Sequence, residues 1–577
     1  MKRKNLYKNI KRTWRYLKSS KWNLVIYAFV SILEGIIGII LPFISAKIIL
    51  NLTDGLMNQL ILTALLVFLI EFVLSTSTYF KSHFYQKIYQ KTLVDLQMAV
   101  ARETLKIEVS EIDKESAGLF IDRLNKDTAE IASMFMEYTY WISSVLSRVG
   151  IVFSVFFMNI YLFFYCLFFA FLLFFVNKKR LEKRTKILKN LKKIREKKTG
   201  LTSELVRGIR DIKVLNAQHS ILKQTEVSVE KASFEEIKML NTNHIYMYIE
   251  DLVRIIDQFL FLVFGCFLYK KGLLTIPVFV IIYNYQSKIE RMLTGVSKLL
   301  EFGKQFTVAS DRIFEIIEDD TFKKEKFGTI SCEKLNGHIR FENVTFQYRE
   351  DSPILNKICF EIQPNEKVAF VGKSGVGKTT IFHLITKLYS PTDGCIYLDG
   401  NPIDALTDDT IRNNMSIITQ SPYIFNFSIK ENLLLAKEDA SMEEIREACK
   451  LACIDEYIMS LPDTYDTILG ENGVILSGGQ KQRLAIARAL LMKTEIILFD
   501  EATSALDNAT QREIQEAIAN LKGEYTILLV AHRLSTIIDS DKIFVVEDGK
   551  IISCGTHKEL LKTCSFYRGL YEKDLQA

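Results

Sequence analysis

Six long apolar runs in the first half of the sequence limit what this chain can fold into. A helix needs about 20 residues to cross the hydrocarbon core of a bilayer, and the runs are near or above that length. The sequence therefore predicts an all-α six-helix transmembrane domain. The predicted spans are 22–47, 56–80, 134–158, 161–176, 251–269 and 274–293.

The charges around these runs predict which side of the membrane each connection faces. Lys and Arg are dense before the first span and in the two long loops, as is typical of cytosolic segments. The short turns 51–55 and 158–160 carry neither residue, although Lys270 and Lys271 between the last two spans break the pattern. We expect a multi-pass protein of the cytoplasmic membrane with both termini in the cytosol.

The long loops have features of cytosolic helical extensions. Residues 178–239 alternate charged side chains with Leu, Ile and Val at helical spacing. Residues 116–120 and 208–213 lie near the midpoints of the two loops. We expect each to be a hairpin tip that contacts a cytosolic domain.

The pattern changes after Asp320. Residues 321–337 are Lys-rich and contain two glycines, which indicates a linker. From residue 338 onward, β-type runs alternate with helical patterns, which predicts an α/β domain with a largely parallel sheet. The predicted domains are 1–320, 321–337 and 338–577.

Composition excludes some partners. The net charge of +6 on 577 residues is modest, so we expect no nucleic-acid partner. The nine cysteines form no CxxC pair, which favours reduced structural thiols.

A glycine-rich segment follows the predicted strand at 368–371 and opens a predicted helix, the setting of a phosphate-binding loop. Backbone N–H groups close around phosphate oxygens, Lys378 neutralises the β- and γ-phosphates, and the Thr379 hydroxyl ligates Mg²⁺. A turn that binds nothing is the alternative, which the strand–loop–helix order disfavours. The predicted ATP-binding residues here are Gly372, Lys373, Ser374, Gly375, Val376, Gly377, Lys378, Thr379 and Thr380.

Two carboxylates, Asp500 and Glu501, end an apolar run at 496–499. Buried carboxylates without partners are costly. Mg²⁺ held by Asp500 through water would offset this cost. Glu501 would polarise the water that attacks the γ-phosphate. An acid that only caps the next helix is the alternative.

A second glycine pair opens another predicted helix at 481–492. Ser477 and the N–H groups of Gly478 and Gly479 would lie at its N-terminus, which attracts anions. An ordinary helix cap is the alternative.

The motifs, in their order, resemble the full series of an ATP-binding cassette (ABC) ATPase. The six preceding spans with long cytosolic loops are similar to the exporter branch, so the resemblance covers nearly the whole chain. It implies an α/β P-loop ATPase domain of the ABC type behind the membrane domain of a half-transporter. The matching positions are 372–379, Gln420, 476–480, Asp500, Glu501, 504–507 and His532.

This resemblance also implies roles for single residues. Tyr348 matches the aromatic residue that stacks on adenine, and Asp507 matches a residue of the dimer interface. The implied catalytic residues are Glu501, His532 and Gln420; the implied Mg²⁺ ligands are Thr379, Gln420 and Asp500; the implied signature residues, which bind the ATP of a second chain, are Ser477, Gly478, Gly479 and Gln480. A homodimer is the simpler model, and a heterodimer stays open.

The sequence constrains the transported substrate less than it constrains the ATP site. Glu34 and Glu71 lie in spans without a basic neighbour in their own helix, so we name them as candidates for a cavity that accepts amphipathic or cationic cargo, with a structural role as the alternative. Arg254 is spaced to neutralise Glu250 and Asp257 along one helix. Drugs, lipids and peptides remain possible cargo, and a nucleotide-gated channel or regulator that does not pump is the alternative function.

Overall fold

The computed structural model describes residues 3–53, 56–115, 117–318, 321–349, 352–470, 473–500, 523–530 and 537–576. The chain forms two compact units. Unit 1 comprises Met1–Leu105 and Ala117–Thr321, and unit 2 comprises Lys106–Ser116 and Phe322–Ala577.

Unit 1 is helical throughout its described residues. Six of its helices have 31 to 53 residues. At 1.5 Å per residue the longest exceed the thickness of a bilayer, because the charged extensions continue the apolar spans without a break. The helices are α1 (Arg3–Leu17), α2 (Lys21–Thr53), α3 (Met57–Thr104), α5 (Ala117–Asp122), α6 (Thr128–Met158), α7 (Ile160–Arg207), α8 (Ile209–Val214), α9 (Gln218–Lys270) and α10 (Ile276–Ile317); α4 (Val109–Lys114) belongs to unit 2.

Four described stretches are long and apolar enough by themselves to cross a membrane. They are Tyr7–Gly38, Met57–Thr104, Ile160–Leu188 and Gln218–Lys270, and Arg148–Met158 is a shorter apolar helix. Large apolar side chains such as Leu62, Phe68 and Phe164 point outward on these helices, as expected for surfaces that face lipid.

The long helices of unit 1 pack in neighbouring pairs. Helix α2 packs on α3, α6 on α10, and α7 on α9. Asn159 fixes the turn between α6 and α7, because its Oδ1 accepts from the N–H groups of Tyr161 and Leu162, both at 3.1 Å. Its Nδ2 also donates to the Leu273 carbonyl oxygen at 3.0 Å, which ties this turn to the one before α10.

Unit 2 contains two sheets. One is antiparallel in the order β2–β1–β4–β5, and the other has six strands in the order β10–β9–β3–β8–β7–β6. Their strands are β1 (Ile339–Gln347), β2 (Pro353–Ile362), β3 (Lys367–Val371), β4 (Asp393–Leu398), β5 (Asn401–Pro402), β6 (Met415–Ile418), β7 (Ile496–Asp500), β8 (Thr526–Val530), β9 (Lys542–Glu547) and β10 (Lys550–Gly555). Its further helices are α11 (Lys378–Ile385), α12 (Asp408–Asn414), α13 (Ile429–Leu434), α14 (Met442–Leu451), α15 (Asp455–Met459), α16 (Gly478–Met492) and the C-terminal His557–Thr563 and Ser565–Gln576.

The six-stranded sheet positions the candidate site. Strands β9, β3, β8, β7 and β6 are parallel, and β10 is the antiparallel edge. All residues of β3, β7 and β8 are buried, and apolar clusters cover both faces of the sheet. Loops that follow parallel strands meet at one edge of the sheet, which is where ligands bind in such folds.

The segment 322–337 belongs to unit 2 together with 106–115. Ile107 forms a β-bridge with Lys324, and the Glu108 N–H donates to the Lys323 carbonyl oxygen at 2.9 Å. Leu335 is 2% exposed. Part of the first long loop and the predicted linker therefore share one folded body, while the domain bounds at 320 and 337 stay a prediction.

Candidate nucleotide-binding site

The glycine-rich loop joins β3 to α11, as the sequence predicts. Gly375 and Gly377 have φ of 81° and 99°, in the left-handed region that favours glycine. A Cβ on Gly377 would lie 2.7 Å from Leu355 Cδ2. These two glycines let the backbone turn tightly at the N-terminus of α11, where its free N–H groups attract an anion.

Lys378 holds this loop in a curved shape. Its Nζ donates to the carbonyl oxygens of Gly372 at 2.9 Å and Lys373 at 2.8 Å. The residue is 5% exposed, whereas Ser374 and Gly375 at the loop tip are exposed. A buried ammonium behind an exposed ring of backbone N–H groups fits a polyphosphate.

A hydroxyl and a carboxylate meet beside the loop. Thr379 Oγ1 donates to Asp500 Oδ1 at 3.0 Å, and Asp500 is 5% exposed at the end of β7. Gln420 follows the neighbouring strand β6 and is exposed, and its carbonyl oxygen accepts from Gln482 Nε2 at 3.2 Å. Oxygen ligands of this kind fit Mg²⁺.

An aromatic cluster lies behind α11. The Tyr348 hydroxyl is 3.2 Å from both Thr380 Oγ1 and His383 Nδ1, and its side chain is 40% exposed. The Tyr389 ring contacts Tyr348 edge-on at 5.2 Å and stacks on His383 at 5.6 Å. The Tyr389 hydroxyl donates to Asp113 Oδ2.

Burial governs the protonation of this cluster. It raises the pKa of Tyr348 and of Tyr389. It lowers the pKa of His383, and the Asp113 carboxylate partly opposes that shift. His383 is therefore neutral at physiological pH.

Sequence reasoning missed His383, Tyr389 and Asp113. A signal for His383 existed, because Thr380 and His383 are spaced i,i+3 and share one face of a helix. Asp113 is 276 residues from Tyr389, and nothing local in the sequence indicates that contact.

The second glycine pair opens α16. Ser477 Oγ accepts from the Gln480 N–H at 3.3 Å, and Gln480 Oε1 accepts from the Ser477 N–H at 2.8 Å, which is a capping box. Ser477 and Gly478 are exposed. The cap satisfies two backbone groups and leaves the Gly478 and Gly479 end of the helix open toward solvent.

Three predicted site residues, Glu501, Asp507 and His532, lie outside the described residues. Glu501 follows directly on β7, and His532 comes two residues after β8 ends. Their roles stay predictions.

The two candidate cavity residues lie in different surroundings. Glu34 Oε2 forms an ion pair with Lys81 Nζ at 2.7 Å, and the hydroxyls of Ser77 and Thr78 donate to Glu34 Oε1. Glu71 is exposed on α3. The partner of Glu34 comes from the adjacent helix, so this carboxylate is neutralised within unit 1, and the role of both residues in cargo binding stays a prediction.

Glu250 and Asp257 make their direct contacts with neighbouring helices, although the helical spacing favours Arg254. Glu250 pairs with Arg180 of α7 at 3.0 Å. Arg254 lies 3.6 Å from Glu290 of α10. Neighbouring helices offered closer partners than the turns of α9 did.

Comparison with known proteins agrees with this geometry. Residues 24–292 match the model of the ABC transporter transmembrane region, and residues 355–504 match that of the ABC transporter. An ATP-dependent lipid A-core flippase of Haemophilus ducreyi is 31% identical, with 98% of each chain covered. The chain belongs to the ABC transporter family.

Further relatives place it in the exporter branch. A putative multidrug export ATP-binding/permease protein of Staphylococcus aureus is 30% identical over 97% of this chain and 99% of the relative. The solved structure of a bacterial Atm1-family ABC exporter with ATP bound superimposes with a TM-score of 0.86 at 25% identity, over 96% of this chain and 98% of that one. This ABC transporter is accordingly a multi-pass membrane exporter that binds and hydrolyses ATP, with a helical transmembrane domain before its ATPase domain, which confirms the predicted fold class.

Proposed function

We propose that this ABC transporter exports an amphipathic substrate across the cytoplasmic membrane as a dimer of half-transporters, by alternating access. The observation that carries the proposal is that one chain supplies one phosphate loop, closed by Lys378, and one open signature helix end at Ser477. Two chains facing each other would form two complete ATP sites. A homodimer is the simpler assembly. In this proposal both termini lie in the cytosol.

Within one site, residues of the described chain bind and orient ATP. Lys378 and the loop N–H groups, from Gly372 to Thr380, would hold the β- and γ-phosphates, and Tyr348 would stack on adenine. Thr379, Gln420 and Asp500 would hold Mg²⁺, which neutralises phosphate charge when bound.

The remaining residues complete the site in this proposal. Glu501 polarises the attacking water, His532 contacts the γ-phosphate, and Asp507 lies along the interface between ATPase domains. Ser477, Gly478, Gly479 and Gln480 of one chain contact the ATP of the other. Closure of the two domains on ATP would move the helices, and loss of the γ-phosphate would reopen them.

The proposed cargo rests on the apolar helices of unit 1 and on the relatives of this chain. The relatives named above are a lipid A-core flippase and a putative multidrug exporter, both names that describe amphipathic or apolar cargo. Glu71 is the better of the two acidic candidates to contact a cationic group, because Glu34 already pairs with Lys81.

Purified protein in lipid vesicles tests the proposal through ATPase activity. We expect Glu501→Gln to lower the turnover rate by at least ~100-fold while ATP binding is retained, because the base that orients the water is lost. A drug, lipid or short peptide that is cargo should stimulate the wild type. Equal activity in both proteins would contradict the catalytic role of Glu501, and an ATP-dependent conductance without transport would favour a channel or regulator.

A further inference from the structure

Two acidic side chains meet inside unit 1, away from the nucleotide-binding site. Asp257 of α9 is 1% exposed. Gln286 Nε2 of α10 donates to Asp257 Oδ2 at 2.6 Å, and the Tyr165 hydroxyl of α7 donates to the Asp257 backbone carbonyl at 2.8 Å. The second carboxyl oxygen, Asp257 Oδ1, is buried and has no hydrogen-bond partner among the described residues.

Glu290 is the second acid on this side of α10. It lies one helical turn beyond Gln286, which donates to Asp257, and so shares its face of α10. Arg254, one turn before Asp257 on α9, has its Nε 3.6 Å from Glu290 Oε2. The two antiparallel helices therefore face each other with two acids and one base.

Arg254 contacts this pair of acids directly, and exposed Arg291 also faces it. Arg254 is 48% exposed and can offset one carboxylate. A second carboxylate beside the first would be repelled and would lose its hydration, which is unfavourable. The other groups that face the pair are Tyr165 and Cys166 of α7 and Arg291 of α10, which bonds to Ser287 and has Arg148 of α6 nearby.

A proton shared by the two carboxyl groups would remove their repulsion and one of the two buried charges. Two carboxyl groups in contact bind one proton as a pair, with an O–H bond on one and a hydrogen bond to the other. Asp257 Oδ1, buried and without a hydrogen-bond partner among the described residues, is the oxygen at which this proton completes the contact between the two groups.

We propose that Asp257 and Glu290 form a proton-binding site in the membrane domain of this exporter. The proton stays on the pair while α9 and α10 pack as they do here. When the helices separate, both carboxyl groups become hydrated, the O–H bond breaks, and the proton passes to water. This linkage of proton release to helix movement rests on the proposed alternating-access function.

Infrared spectroscopy of the protein in lipid tests the site directly, through the carbonyl stretch of a protonated carboxylic acid. We expect the wild type at neutral pH to show a band that both Asp257→Asn and Glu290→Gln remove. Glu236→Gln is the matched control, since Glu236 is an exposed carboxylate on the same helix, paired with Arg195. It should leave that band unchanged.

Two results would overturn the proton site. One is a band that persists in both variants, and the other is a band that Na⁺ or K⁺ removes at constant pH, which would indicate a metal-cation site. If one variant fails to fold, the infrared band of the other variant still tests the proton site. A pH titration of the wild type tests it as well, because the pair must lose its band as the pH rises.

ATP-bound Glu501→Gln protein tests the linkage to helix movement. We expect ATP to weaken the band, and an unchanged band would contradict the linkage. A wild type without ATPase activity but with the band would refute the proposed export function and keep the proton site. Full ATPase activity without the band would refute the proton site and leave the proposed export function in place.

Discussion

At the scale of single residues, the aromatic cluster behind the phosphate loop couples protonation to stability. Burial lowers the pKa of His383 below its usual 6.5, so the unfolded chain binds a proton more readily than the folded one. The stability that neutral His383 contributes is then complete above pH 6.5 and decreases as the pH falls toward the lowered pKa. We predict that His383→Gln, which stays neutral, makes thermal unfolding of the ATPase domain less sensitive to pH below 6.5. An exposed histidine offers the control: His244→Gln should leave the pH dependence as in the wild type, and equal profiles for all three proteins would contradict the assignment.

At the scale of elements, capping positions the helices of unit 1. Asn159 accepts from two N–H groups at the start of α7 and donates to the turn before α10, with only 8% of the residue exposed. We predict that Asn159→Ala lowers the free energy of unfolding by about 1 kcal/mol for the cap and by a further ~1 kcal/mol for the unpaired Leu273 carbonyl. Thermal unfolding in detergent measures this, with Asn284→Ala as the control, because exposed Asn284 donates to the Val280 carbonyl oxygen of its own helix. Equal melting temperatures for the two variants would refute the role of the cap.

At the scale of the whole molecule, local patterns predicted most of the architecture and little of its long-range pairing. The six apolar runs coincide with long helices, and the phosphate loop lies between β3 and α11, because span length, periodicity and glycine placement are local properties. The Glu34–Lys81 pair, the Tyr389–Asp113 contact and the Asp257–Gln286 contact join different elements. Such contacts depend on how elements pack, and helical spacing favoured Arg254 where Glu250 and Asp257 make their direct contacts with neighbouring helices.

The composite ATP site is the central claim about the whole molecule, and mixed dimers test it most directly. A Lys378→Ala chain lacks a working phosphate loop, and a Ser477→Arg chain lacks a working signature. A dimer of the two, isolated by a different affinity tag on each chain, retains one intact site built from both chains. We predict that this mixed dimer traps ATP and hydrolyses it, whereas each parent dimer has at most ~1% of wild-type activity, since each lacks a charge-stabilising part of every site. A tagged Lys378→Ala dimer of identical chains controls for the purification. A mixed dimer that neither traps nor hydrolyses ATP would contradict the composite site.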